Sequence, residues 1–134
     1  MPRRVMANGC FDPVHHGHML HLRAARALGD ELVVALSSDA AVRKQKGDRR
    51  LFLGQQDRAE MLMLLRCVDR VVVVDGLLEA LESVRPDVLV KGTDYKTGIE
   101  GPHAEYCRQH GIAVVFTDTP KWSVLKIADE LRRR

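Results

Sequence analysis

At 134 residues, 46% hydrophobic and 29% charged, the chain has the length and balance of one globular domain spanning 1–134, with no boundary inside it. No run approaches the roughly 18 apolar residues of a membrane span, and Arg3 and Arg4 precede too short an apolar run for a signal peptide, so a cytoplasmic protein without a membrane partner is expected. The net charge of +3 is concentrated at Arg43–Arg50 and Arg132–Arg134, which suits a local phosphate partner and not nucleic acid, whose binding needs a more basic and more aromatic surface.

In chain order, Val-rich runs at Arg4–Ala7, Leu32–Leu36, Val71–Val74, Val88–Val90 and Ala113–Phe116 read as short strands buried on both faces. Amphipathic stretches lie between them. Residues 17–28 end at Gly29, a left-handed cap, and residues 55–66 carry Met61, Leu62, Leu64 and Leu65 on one side. A short helix is expected at 77–84, another at 101–110 before Gly111, and a last one from the N-cap Ser123 with Val124, Ile127, Ala128 and Leu131 on its buried stripe. Lys44–Gly54 is the one long irregular segment. This alternation implies right-handed crossovers, giving a Rossmann-like α/β domain with a five-stranded parallel sheet and helices on both faces. Cys10, Cys67 and Cys107 are odd in number and widely spaced, which argues against disulfides and a Cys-x-x-Cys metal site and for a reducing compartment.

The chemistry concentrates in Asn8–His18, at the turn from the first strand into the first helix. Backbone N–H groups and the positive end of a helix dipole meet there. His15 and His18 flank Gly17 three residues apart and can face one phosphate. Lys44, Lys46, Arg49 and Arg50 form a basic loop able to fold over a polyphosphate. With a late helix starting at Ser123, this reads as a nucleoside triphosphate site suited to nucleotidyl transfer. A phosphate oxygen attacks the α-phosphorus in line, pyrophosphate leaves, and fixed donors stabilise the equatorial oxygens. The nucleophile is already anionic, so no triad or carboxylate pair is required.

Gly9-Cys10-Phe11-Asp12-Pro13-Val14-His15-His16-Gly17-His18 resembles the Gly-x-Phe-Asp-x-x-His-x-Gly-His signature of the cytidylyltransferase-like nucleotidyltransferases. Ala27–Ala35 with Ser38-Asp39, Gln56-Asp57-Arg58, Arg66-Cys67-Val68-Asp69 and Arg85–Tyr95 are similar to the adenylyltransferase domain of bacterial ADP-heptose synthesis enzymes. The Lys-Gly-x-Asp-Tyr segment, residues 91–95, favours that group over the glycerol-3-phosphate cytidylyltransferases. The resemblance implies transition-state contacts from His15 and His18, with Lys46 completing the catalytic set and Lys44 beside it on the triphosphate. It assigns Gly9, Cys10, Phe11, Gly17, Gly92, Asp94, Trp122 and Ser123 to the nucleotide, and Asp12, Arg66 and Lys91 to the acceptor side. Magnesium entering with the nucleotide and a homodimer with contacts near Arg66 are also implied. ATP is favoured as donor, CTP is possible, and the acceptor is a small phosphorylated compound, with heptose 1-phosphate first and glycerol 3-phosphate as the alternative.

The resemblance departs at the last helix, where a Ser-Thr-Thr triplet is usual. Here Ser123 is followed by Val124 and Leu125, and Lys121 stands as the nearby cation. A nucleotide-binding module without turnover is therefore the alternative of another class. Several single residues have simpler roles. A metal site on His15 and His18 lacks an evident completing ligand, and His16 and His21 read as surface or packing residues. Cys10 reads as a small buried thiol, because transfer to a phosphate needs no covalent intermediate. Trp122 could stack on a base or fill the core, and the arginine tail reads as a solvated helix end.

Overall fold

Strands here are short, Val-rich and separated by helices, and they pair in parallel because each returns through a helical crossover. The computed structural model describes residues 2–47, 51–92, 101–118 and 124–134. In chain order these form β1 (Arg4–Gly9), α1 (His16–Arg26), β2 (Glu31–Ser37), α2 (Asp39–Lys46), α3 (Gln55–Met63), β3 (Arg70–Val74), α4 (Leu77–Val84), β4 (Val88–Lys91), α5 (Gly101–Gln109), β5 (Ala113–Phe116) and α6 (Val124–Arg133). The sheet order is β3-β2-β1-β4-β5, all parallel, in register Val5↔Leu32, Val34↔Val71, Val5↔Val88 and Leu89↔Val114. The direction of winding reverses between β1 and β4. In open α/β sheets a ligand crevice forms at the carboxyl ends of the strands beside such a reversal.

Side-chain alternation along each strand builds two cores, one on each face. Val5, Ala7, Leu32, Val34, Leu36, Val88 and Val90 pack with Leu22 and Ala25 of α1 and Leu62 of α3. Met6, Val33, Ala35 and Leu89 point the other way, onto Ala80, Leu81 and Val84 of α4 and Cys107 of α5. Full burial of each large aliphatic side chain contributes about 1.5–3 kcal/mol. These layers fix the height at which the strand ends deliver the site.

Five expectations from the sequence are corrected. Only β1, β2 and β4 are buried on both faces. β3 and β5 are edge strands, with Val73 and Phe116 exposed. Gly29 is not a left-handed cap, since α1 ends at Ala27 in right-handed geometry. Gly29 instead allows close passage of the chain: a Cβ there would lie 2.6 Å from the Arg3 carbonyl oxygen. Lys44 and Lys46 are not in an irregular loop but in α2, which Ser38 caps by accepting a hydrogen bond from the Ala41 N–H at 3.1 Å. α3 stops at Met63, so Leu62 is buried while Met61, Met63 and Leu64 are exposed. Leu131 is also exposed, so the stripe expected on α6 is not buried at that position.

Candidate active site

The turn after β1 is shaped by two residues of unusual conformation and packing. Phe11 adopts φ +47°, in the left-handed region, and its ring is buried. Gly9 makes room for that ring, since a Cβ at Gly9 would lie 3.0 Å from the Phe11 Cε2. The buried ring then meets His18 edge-on, with centroids 4.9 Å apart. His15 is the N-cap of α1 and stacks on His18 with ring centroids 3.7 Å apart. No acidic residue stands in the first turn of α1, whereas Arg23 and Arg26 complement its other end, so the positive end of the dipole is left for a ligand. Gly17 is buried in that first turn.

The protonation state of His18 follows from one contact. The His15 backbone N–H donates to His18 Nδ1 at 3.2 Å. A ring nitrogen that accepts carries no proton, so His18 is a neutral imidazole with its hydrogen on Nε2. Burial, then the charges of His15, His21 and Lys46, push its pKa down to about 4, which keeps this form at neutral pH. Burial and His16 lower His15 in the same direction. His15 Nδ1 is buried and has no hydrogen-bond partner within the protein. Buried polar atoms without a partner are uncommon, and this one belongs to the ring stacked on His18.

The reversal point between β1 and β4 supplies a second cation. Lys91, at the end of β4, is 4% exposed, and its ammonium donates to Asn8 Oδ1 at 2.8 Å across the two strand ends. Burial pushes its pKa down to about 8, so it remains protonated at neutral pH. One turn beyond His18, His21 Nδ1 lies 2.7 Å from Thr117 Oγ1 at the end of β5. The Thr117 N–H donates to the Lys91 carbonyl oxygen at 2.9 Å. The charge of Lys91 lowers the pKa of His21, after burial, so α1 and β4 meet electrostatically over the crevice.

The structure brings Gly9, Phe11, His15, Gly17 and His18 together around the first turn, with Lys46 close enough for its charge to act on His18 and Lys91 held to Asn8 at the end of β1. Lys44 is exposed on the same short helix as Lys46, and Gly92 follows β4 with open space where a side chain would be. Cys10 is half-buried with a free thiol, and its carbonyl is used structurally. Asp94, Trp122 and Ser123 lie outside the described residues. Of the residues expected on the acceptor side, Lys91 and Asp12 lie at the carboxyl edge with the histidines and Arg66 does not. Arg66 is exposed just before β3, at the amino edge of the sheet, opposite the histidines. Asp12 spends both carboxylate oxygens on backbone, accepting from Phe52 N–H and Leu53 N–H at 2.6 Å each.

Sequence reasoning placed Arg58 in the matching Gln56-Asp57-Arg58 segment but gave it no role, and its side chain is fully buried. Its guanidinium donates to the carbonyls of Leu53, Cys10 and Ser37 and to Asp39 Oδ1, each at 2.8 Å. A signal was present: Arg58 precedes Leu62 by four residues and so occupies the buried face of α3. Asn8 and Thr117 gave no such signal, because their neighbours at the crevice are remote in sequence.

This arrangement matches a known family. The model for cytidylyltransferase-like proteins matches residues 6–130, and the chain belongs to that family of nucleotidyltransferases. Among curated relatives, the bifunctional protein HldE of Helicobacter acinonychis (strain Sheeba) is 50% identical over 96 residues, covering 68% of this chain and 20% of its own length. HldE of Koribacter versatilis (strain Ellin345) is 50% identical over 102 residues, covering 74% of this chain and 21% of its own. The chain thus spans about a fifth of the length of these relatives. A lipopolysaccharide core biosynthesis protein from Thermoplasma volcanium GSS1 superposes with a TM-score of 0.74 at 26% identity, over 90% of this chain and all of that one.

Proposed function

We propose that this chain transfers AMP from ATP to a sugar 1-phosphate, with heptose 1-phosphate as the first candidate, and releases pyrophosphate. The observation that carries the reading is the neutral His18, stacked on His15 at a helix start with no acidic residue in its first turn and with Lys46 and Lys91 nearby. The acceptor phosphate oxygen forms a bond to the α-phosphorus as the bond to the pyrophosphate oxygen breaks. His18 Nε2–H donates to an α-phosphate oxygen as charge builds there, without surrendering its proton. Backbone N–H groups of the first turn of α1 face the same charge. Lys46 balances the leaving pyrophosphate. Lys91, at the floor of the crevice, contributes a fixed positive charge.

Magnesium is proposed to arrive with the triphosphate, whose oxygens are its customary ligands and which neutralises phosphate charge when bound. Among the described residues no group of three or more His, Cys, Asp or Glu is placed to hold a metal. Adenine and heptose are supported by the resemblance of residues 85–95 and by the 50% identity to HldE proteins. Three free cysteines fit a reducing compartment such as the cytoplasm.

The deciding experiment is a pyrophosphate-release assay crossing four nucleoside triphosphates with sugar 1-phosphates and polyol phosphates. Release with ATP and heptose 1-phosphate alone is the expected result. Preference for CTP and glycerol 3-phosphate would replace donor and acceptor, and nucleotide binding without release from any pair would make the chain a binding module.

A further inference from the structure

We propose that Asp12 and Arg58 form a two-point clasp whose task is to position the lysine-bearing helix α2 and its return segment against the histidine turn. The inference rests on the triphosphate reading above and assigns neither residue to the substrate. Three stretches have to be brought into register at the carboxyl edge. These are the turn after β1, the β2–α2 junction with the helix that carries Lys44 and Lys46, and the return segment 51–54. The Arg58 guanidinium bonds to all of them: Cys10 in the first, Ser37 and Asp39 in the second, Leu53 in the third. Asp12 closes the loop from the other side, holding Phe52 and Leu53 by their N–H groups from within the signature turn.

Arginine suits this position and lysine does not. The planar fork offers five donors in fixed directions, and four contacts at 2.8 Å use its shape as well as its charge. An ammonium has three donors and no plane. Taking a guanidinium wholly out of water is costly unless paired and hydrogen-bonded, and Asp39 with three carbonyls supplies that compensation. Such a network over-determines the geometry of the turn it grips. The residue it serves is Lys46, whose charge already reaches His18.

Acting through Lys46 has a consequence that mere support of the core lacks: the effect of loosening the clasp should vanish once Lys46 is gone. Asp12→Asn, Arg58→Lys, Lys46→Ala and the Asp12→Asn/Lys46→Ala double variant are compared at a temperature where circular dichroism shows each folded. Magnesium-ATP affinity is read by calorimetry and turnover by pyrophosphate release. The expected result is a loss in kcat/KM of up to about a hundredfold for Asp12→Asn, the scale of a misplacement near 1 Å. In the Lys46→Ala background the same change should cost less than about twofold, the signature of coupled residues. Arg58→Lys should reproduce the Asp12→Asn loss while remaining folded. An equal loss in both backgrounds, or wild-type kinetics in both clasp variants, overturns the proposal. ATP binding without turnover in the unmodified chain would sink the transfer reaction, and the same cycle in binding affinity would then decide the clasp. Absence of ATP binding would overturn both.

Discussion

The two edges of the sheet use the same residue types for opposite ends. At the amino edge, each carboxylate meets a strand start or a guanidinium: Asp30 accepts from Arg3 N–H, Asp87 from Arg4 N–H, Asp69 from Leu32 N–H, and Glu31 and Asp69 pair with Arg4 and Arg26. The carboxylates there stitch chain ends together. At the carboxyl edge, Asp12 and Asp39 are also occupied, but by backbone N–H groups and by the buried Arg58. The groups that depress the pKa of His18 besides burial are all basic: His15, His21 and Lys46. A fold that pairs its carboxylates with strand starts and guanidiniums at one edge, and at the other gathers Lys46, Lys91 and a helix start with no acidic residue, directs positive potential to the carboxyl edge.

The sharpest way to break that contrast is His18→Ala. The side chain contributes little packing that the Phe11 ring and His15 cannot cover, so the fold should persist. Removing one positioned donor to transition-state charge typically costs 10²–10³-fold in kcat, and a loss of about that size is expected with the KM for ATP changed far less. Steady-state kinetics on the variant check this. Turnover within about threefold of the unaltered chain would remove His18 from the chemistry and leave it a packing residue.

Much of the fold could be read from the residues because the pattern has a physical cause. Strands buried on two faces are nearly continuous Val and Leu, as at β2, and a His-x-Gly-His turn between the first strand and the first helix falls at the carboxyl edge where open α/β sheets form their crevice. What escaped was of two kinds. Ser38-Asp39 carried the local signal of a helix start, yet the lysines that follow read as loop because charge runs are usually solvated. The other kind is contact across the sheet edge. Nothing near Asp12 in sequence says that its oxygens close on residues 52 and 53, and nothing near Lys91 says that Asn8 lies opposite. Such pairings depend on register and on the reversal between β1 and β4, which only the folded chain defines.

A finer test concerns the buried cation at the carboxyl edge. Lys91 has its pKa pushed from 10.5 down to about 8 by burial, so it is charged at pH 7 and loses charge as pH rises through 8. Affinity for the phosphate substrates should therefore fall by about tenfold between pH 7 and 9, the scale of one charge-assisted hydrogen bond. Unfolding cannot mimic this, and the sign shows why. Between about 8 and 10.5 the unfolded chain holds a proton on this lysine that the folded chain has released, so stability contributed by Lys91 rises with pH over that window and is lost as pH falls. Lys91→Met should bind weakly at pH 7 and show no such limb. Titration of ATP binding against pH in both proteins measures it, and a limb retained in the Met variant would assign the titration to another group.

The smallest expected effect lies at the other edge and should leave chemistry alone. Asp87→Ala removes the acceptor of the Arg4 N–H at 2.8 Å, while the Asp87 N–H still donates to the Arg4 carbonyl. One backbone donor at the start of β1 then turns to water, because that contact is exposed, so the cost should be about 1 kcal/mol and not the larger penalty of a buried orphan. Chemical denaturation should show a lower midpoint with an unchanged slope, since the surface exposed on unfolding is the same. The kcat and the KM for ATP should match the unaltered chain at 25 °C. A change in turnover without a change in midpoint would mean that the two edges communicate through the strands, and the division of labour between them would have to be abandoned.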